Sequence, residues 1–159
     1  MHTTYLEAKR TVDDRSIHPR VWDRFLREAE PVRSTSALRV VELGAGSGTM
    51  VERLRDWNAF SRLTADGTHP LHYDAWEYNP ETAVHLQQRI ENAPEIDSGA
   101  VFVGDITDAG RADSDGTDFD GPVPYDVVIA HAVMDLFPPD KLPEILGRFL
   151  RPGGILYGT

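Results

Sequence analysis

Apolar positions in this chain fall into short continuous runs separated by segments of helical spacing. The runs at Arg39-Val40-Val41, Leu71 to Trp76, Ala100 to Val103, Tyr125 to Ala130 and Ile155 to Tyr157 each read as a short buried strand. Between them, Met50 to Trp57 reads as a helix. A second helix starts at Asn79, a good N-cap followed by Pro80, and runs through Thr82, Val84, Leu86 and Ile90. A third, Asp140 to Leu150, carries Leu142, Ile145, Leu146 and Leu150 on one stripe and stops at Arg151-Pro152-Gly153-Gly154. Nearer the N-terminus, Val21, Trp22, Phe25 and Leu26 form the apolar stripe of a further helix. Strands alternating with helices predict an α/β fold: a Rossmann-like, doubly wound, mainly parallel sheet with helices on both faces. Two stretches break the pattern. Asn58 to Pro70 reads as a polar loop insertion, and Asp105 to Asp126, rich in Asp, Gly and Pro, reads as a solvated and mobile acidic loop.

The first strand runs into Glu42-Leu43-Gly44-Ala45-Gly46-Ser47-Gly48-Thr49. Alternating glycines let the backbone turn sharply and approach a ligand, because no Cβ intervenes. The following helix then begins with unpaired N–H groups facing that ligand. The dinucleotide fingerprint G-x-G-x-x-G needs a third glycine where Thr49 stands, which disfavours a nicotinamide oxidoreductase. The string Val-Val-Glu-Leu-Gly-x-Gly-x-Gly instead resembles motif I of the class I S-adenosylmethionine-dependent methyltransferases. The likeness extends over about residues 36 to 159, with the later motifs in the family's order.

That resemblance implies S-adenosyl-L-methionine as cofactor and a set of contacts for it. Glu42, Gly44, Ala45, Gly46 and Gly48 belong to the glycine motif. Glu77, at the tip of the second strand, matches the acid that accepts the ribose hydroxyls, with Asp74 as a competitor set deeper in the strand. Tyr78 is placed to pack on the adenine. Asp105 and Ile106, ending the third strand, match the acid that receives the adenine amino group and the backbone N–H that reads the ring. "Leu-Arg-Pro-Gly-Gly" before the fifth strand is also common in the family. His131, at the tip of the fourth strand, is the candidate general base, with Asp135 second. The family's Asn-Pro-Pro-aromatic signature is absent, since that place reads Ala130-His131-Ala132-Val133. Residues 1–35 are expected to form an N-terminal helical cover over cofactor and substrate, where Arg10 and Arg15 would hold the methionine carboxylate. Residues 36–159 are expected to form the cofactor domain, stopping at the fifth strand where the family's sheet continues. The implied result is a truncated sheet with an exposed edge at Ile155 to Tyr157, prone to dimerise through it.

Composition narrows the partners. The 159 residues carry a formal charge of −10 and no cysteine, so there is neither a disulfide framework nor a thiolate metal site. A polyanion would be repelled, which points to a small-molecule methyl acceptor rather than nucleic acid. His69 and His72 form a pair in a loop with no third ligand, so no metal site is expected. No run approaches the ~20 apolar residues of a membrane span, and a cytoplasmic protein is expected. A non-catalytic nucleoside-binding module on the same fold remains the alternative to an enzyme.

Overall fold

A computed structural model describes Val12 and residues 14–32, 37–109 and 125–159 of the chain. The elements are α1 (Pro19–Ala29), β1 (Leu38–Leu43), α2 (Thr49–Asp56), α3 (Ala59–Leu63), β2 (Leu71–Glu77), α4 (Pro80–Glu91), β3 (Val101–Val103), β4 (Tyr125–Ala130), α5 (Leu142–Phe149) and β5 (Leu150–Gly158). The five strands form one sheet in the order β3-β2-β1-β4-β5. Every neighbouring pair is parallel. The chain winds outward from β1 to β3, then returns to place β4 on the other side of β1. That reversal opens a crevice beyond the carboxyl ends of β1 and β4, where an open α/β sheet takes its ligands.

The two-residue period of the strands sorts the core into two layers. Leu38, Val40, Tyr73, Ala75, Val127, Ile129 and Tyr157 face one side, packed with α1 to α4. Val41, Leu43, Trp76, Val128 and Ala130 face the other, packed with Ile145 and Phe149 of α5. Both faces are covered, which is why the strands read as near-continuous apolar runs. Among the described residues no helix is long and apolar enough to cross a membrane.

Several expectations shift in detail. The segment Asn58 to Pro70 is not all loop: α3 forms there and buries Ala59, Phe60 and Leu63. Five residues are too few to show helical periodicity inside a polar stretch. On α1 the buried stripe is Trp22, Phe25, Leu26 and Ala29, while Val21 is half exposed, because the helix starts at Pro19 and its period selects i, i+3, i+4, i+7. Asn79 caps α4 as expected, accepting from the N–H groups of Glu81 and Thr82. The Pro-Gly-Gly turn lies within β5: Leu150 pairs with Tyr125 and Ile155 with Val127, so residues 151–154 bulge out of register. Gly153 there has φ +78°. Arg151 anchors the bulge, donating to the buried Asp126 carboxylate and to the Val32 carbonyl.

The described part of the expected N-terminal cover is core rather than a loose flap. Trp22 lies edge-on to Tyr157 with ring centroids 5.3 Å apart, and Phe25 lies 4.8 Å from the same ring. Replacing Phe25 by Ala should therefore cost about 3–5 kcal/mol in chemical denaturation, as for a buried aromatic. A loss under ~1 kcal/mol would show that α1 is only loosely attached.

Candidate functional site

The glycine turn leaves β1 with Gly44, Gly46 and Gly48 all at positive φ, at +67°, +56° and +88°. At Gly44 the demand is also spatial, since a Cβ would come within 2.6 Å of Val133 Cγ2. Gly46 faces open space, so only its backbone angle requires glycine. Gly48 immediately precedes α2 and packs against Leu86 and Arg89 of α4. Arg89 holds the turn from outside, its Nη1 donating to the Ser47 carbonyl at 2.6 Å and approaching Ser47 Oγ at 3.1 Å.

Glu77 ends β2 beside this turn and binds it. Its Oε2 accepts the Gly46 N–H at 2.8 Å, and its Oε1 accepts the Asn79 N–H at 2.9 Å. One carboxylate thus ties the glycine turn to the start of α4. Asp74, the competing acid, is buried in the sheet. It accepts from the Tyr125 hydroxyl at 2.6 Å and the Ala100 N–H at 2.8 Å, and it pairs with His72 at 2.9 Å. Its role is to join β2, β3 and β4.

Asp105 follows β3 as the cap of a single 3₁₀ turn, Ile106–Asp108. Its Oδ1 accepts both the Thr107 hydroxyl at 2.7 Å and the Thr107 N–H at 2.8 Å. These bonds, the hydroxyl first, hold its pKa below the ordinary carboxylate value, so at neutral pH it is an ionised acceptor.

A cavity of about 360 Å³ brings these strand ends together. Gly44 forms its floor, Glu77 and Tyr78 one wall, and Gly104 to Thr107 another; Ala132, Val133, Leu136, Phe137 and Pro138 close the β4 side. Of the expected cofactor residues, Gly44, Glu77, Tyr78, Asp105 and Ile106 line this cavity. Ala45, Gly46, Gly48 and Glu42 do not. Ala45 is buried with its N–H bonded to the Trp76 carbonyl, and Gly46 contributes through Glu77. Tyr78 is largely exposed at the mouth.

Glu42 lies behind the turn, on the face covered by α2. It is 4% exposed, and the Tyr73 hydroxyl donates to its Oε2 at 2.7 Å. Burial pushes its pKa up to about 8, against the opposing pull of the Tyr73 hydrogen bond and of Arg53, with Glu77 adding a smaller upward push. The carboxyl is therefore mostly protonated at neutral pH, and in this geometry it bonds Tyr73 and does not line the cavity. Arg53, 1% exposed, pairs with Asp14 and lies close enough to act on both Glu42 and Tyr157.

His131 stands on a different cavity, of about 770 Å³, lined by Ser16, His131, Ala132, Met134, Asp135, Gly158 and Thr159. Its Nδ1 hydrogen-bonds the Thr159 hydroxyl. Ala132, at φ +54°, borders both cavities and forms the partition between them. Arg15 is exposed, and Arg10 lies outside the described residues, as do residues 110–124 of the acidic loop. Val133, Arg89 and Arg53 were not singled out from sequence. Val133 had no signal beyond its apolar character, and the two arginines look like ordinary helix-surface residues.

No protein-family model matches the chain, and no curated protein does. Solved structures do. A methyltransferase from Geobacter sulfurreducens in complex with S-adenosyl-L-homocysteine matches with a TM-score of 0.52 at 21% identity, over 88% of this chain and 47% of its own. One from Thiobacillus denitrificans, with the same ligand, matches with a TM-score of 0.53 at 19% identity, over 89% and 48%. PKMT2 from Rickettsia typhi, in complex with AdoHcy, matches with a TM-score of 0.55 at 15% identity, over 84% and 24%. The chain thus spans about half the length of the first two. Its architecture is the Rossmann-like fold of the class I S-adenosylmethionine-dependent methyltransferases.

The buried Glu42 makes stability depend on pH in a defined direction. An unfolded glutamate loses its proton near 4.5, whereas Glu42 in the fold keeps its proton to about 8. Across that window the folded state binds more protons, so this residue's contribution to stability falls as pH rises and levels off above about 8. Glu42→Gln, which keeps an acceptor for Tyr73, should melt progressively higher than wild type as pH is raised through the window. Parallel melting curves across pH for the two proteins would refute the buried, neutral carboxyl.

Proposed function

We propose that this chain binds S-adenosyl-L-methionine and transfers its methyl group to a small-molecule acceptor. The observation that carries the reading is the convergence of Gly44, Glu77 and the Asp105–Ile106 pair on one cavity from three strand ends. The donor and acceptor set fits the cofactor. Each Glu77 oxygen accepts one backbone N–H, which leaves lone pairs for the two ribose hydroxyls. Asp105 spends Oδ1 on Thr107 and keeps Oδ2 for the adenine amino group. Ile106 offers its backbone N–H at the start of the turn, and Leu136 and Phe137 supply apolar walls for the base. Gly44 supplies the close approach that a side chain would block.

When bound, the cofactor supplies an activated methyl group on a sulfonium. The protein's part is positioning, for which aligned reactants can gain effective molarities of ~10⁵ M or more. The larger cavity beyond Ala132 suits the acceptor; His131 on its wall, with Nδ1 bonded to Thr159 and Nε2 buried, would take the acceptor's proton once its ring turns toward the cavity. The Thr159 hydroxyl orients that imidazole through Nδ1. Asp135, on the same cavity, is the second candidate for the proton. The net negative charge of the chain supports a small acceptor over nucleic acid.

Calorimetry with S-adenosylmethionine, S-adenosylhomocysteine and NAD tests the cofactor directly, and binding of the first two without the third is expected. Glu77→Ala should weaken both by about 1.5–3 kcal/mol, as for hydrogen bonds to a charged group. Unchanged affinity in that variant would overturn the ribose assignment. With an acceptor in hand, His131→Gln should slow methyl transfer by roughly 10²-fold with unaltered S-adenosylhomocysteine affinity. Tight cofactor binding without turnover of any acceptor would favour the binding-module alternative.

A further inference from the structure

Resting on the cofactor reading above, we infer that Arg148 is a positioning residue that sets the base end of the pocket. Its side chain, 18% exposed, reaches from α5 to the 3₁₀ turn that follows β3. Nη1 donates to the carbonyl oxygens of Thr107 at 2.8 Å and Ala109 at 3.2 Å, while Nη2 pairs with Glu144. The guanidinium thereby grips the turn from its C-terminal side, immediately after the two residues assigned to the adenine.

The turn needs such a grip. Among the described residues its own backbone supplies the Asp108 N–H to Asp105 carbonyl bond at 3.1 Å and the Ala109 N–H to Ile106 carbonyl bond at 3.2 Å. A single 3₁₀ turn has poor hydrogen-bond geometry and little stability alone. On the N-terminal side it is tied to β2 through the Gly104 N–H and the Glu77 carbonyl. Ile106 and Ala109 are buried in the same apolar cluster as Ile145 and Phe149 of α5. Apolar contact fixes how deep the turn sits, but it is tolerant of sliding. Two directional bonds from one planar cation fix its rotation, and with it the aim of the Asp105 carboxylate and the Ile106 N–H. Lysine, with one nitrogen in place of Nη1 and Nη2, could not hold the two carbonyls and Glu144 together.

Discrimination between adenine and hypoxanthine reads this aim, because the two bases differ at the amino group assigned to Asp105. Wild type, Arg148→Met, Arg148→Lys and Ile145→Val would be titrated calorimetrically with S-adenosylhomocysteine and S-inosylhomocysteine, with melting temperatures taken in parallel. Wild type should prefer the adenine compound. Arg148→Met should lose about tenfold in affinity for it, as for a lost bond to a charged group, and most of the preference. Arg148→Lys should retain an intermediate preference. Ile145→Val, a packing loss in the same cluster, should lower the melting temperature and keep the preference. Wild-type preference in Arg148→Met, whatever its melting temperature, would overturn the inference while leaving the cofactor reading intact. If Arg148→Met fails to fold, full preference in Arg148→Lys overturns it equally. Wild type that binds neither compound would overturn the cofactor reading itself.

Discussion

The carboxylate of Glu77, held between the N–H groups of Gly46 and Asn79, joins the three parts on which the pocket rests. It belongs to β2, it fixes the turn that leaves β1, and it meets the first turn of α4. The glycine turn has three residues at positive φ and little apolar contact of its own, so its shape must be imposed from outside. Glu77 imposes it from the pocket side and Arg89 from the other, through Ser47. A ligand hydroxyl arriving at Glu77 therefore meets a carboxylate whose orientation is already set, which lowers the ordering cost of binding.

Behind that carboxylate stands a second one, and burial separates their roles. Glu42 carries its proton because a charge there would be stripped of water, and the nearby Arg53 only partly offsets that cost. Holding Glu42 neutral also avoids a second negative charge near Glu77. Arg53 is itself almost fully buried, and among the described residues its Nη2 and the Tyr157 hydroxyl have no hydrogen-bond partner.

The opposite face works differently. There Asp74, Tyr125 and Asp126 form hydrogen bonds inside the sheet or to its bulge, and α5 meets the 3₁₀ turn through Arg148 and apolar contact. On the proposed reading, the base end of the site is steadied by a helix far along the chain from the residues that would read the base. A few strand-end residues carry the site, and a generic apolar interior carries the fold.

The sequence by itself determined the order of strands and helices, the glycine turn, and the acids at the ends of β2 and β3, because each is a local signal. Continuous apolar runs mark strands covered on both faces, alternating glycines mark positive φ, and Asn79-Pro80 marks a helix start. It left Asp74 beside Glu77 as a competitor, and the contacts of Asp74 with Tyr125, Ala100 and His72 are visible only in the structure. Only the tertiary structure decided that Glu42 is a buried, neutral partner of Tyr73, that His131 and the glycine turn open on different cavities, and that Ala132 borders both. The same holds for α3, hidden in a polar stretch, and for Val133, Arg89, Arg53 and Arg148. Their roles arise from contacts across tens of residues, and burial or a partner's carbonyl leaves no mark on the residue's own neighbours in the chain.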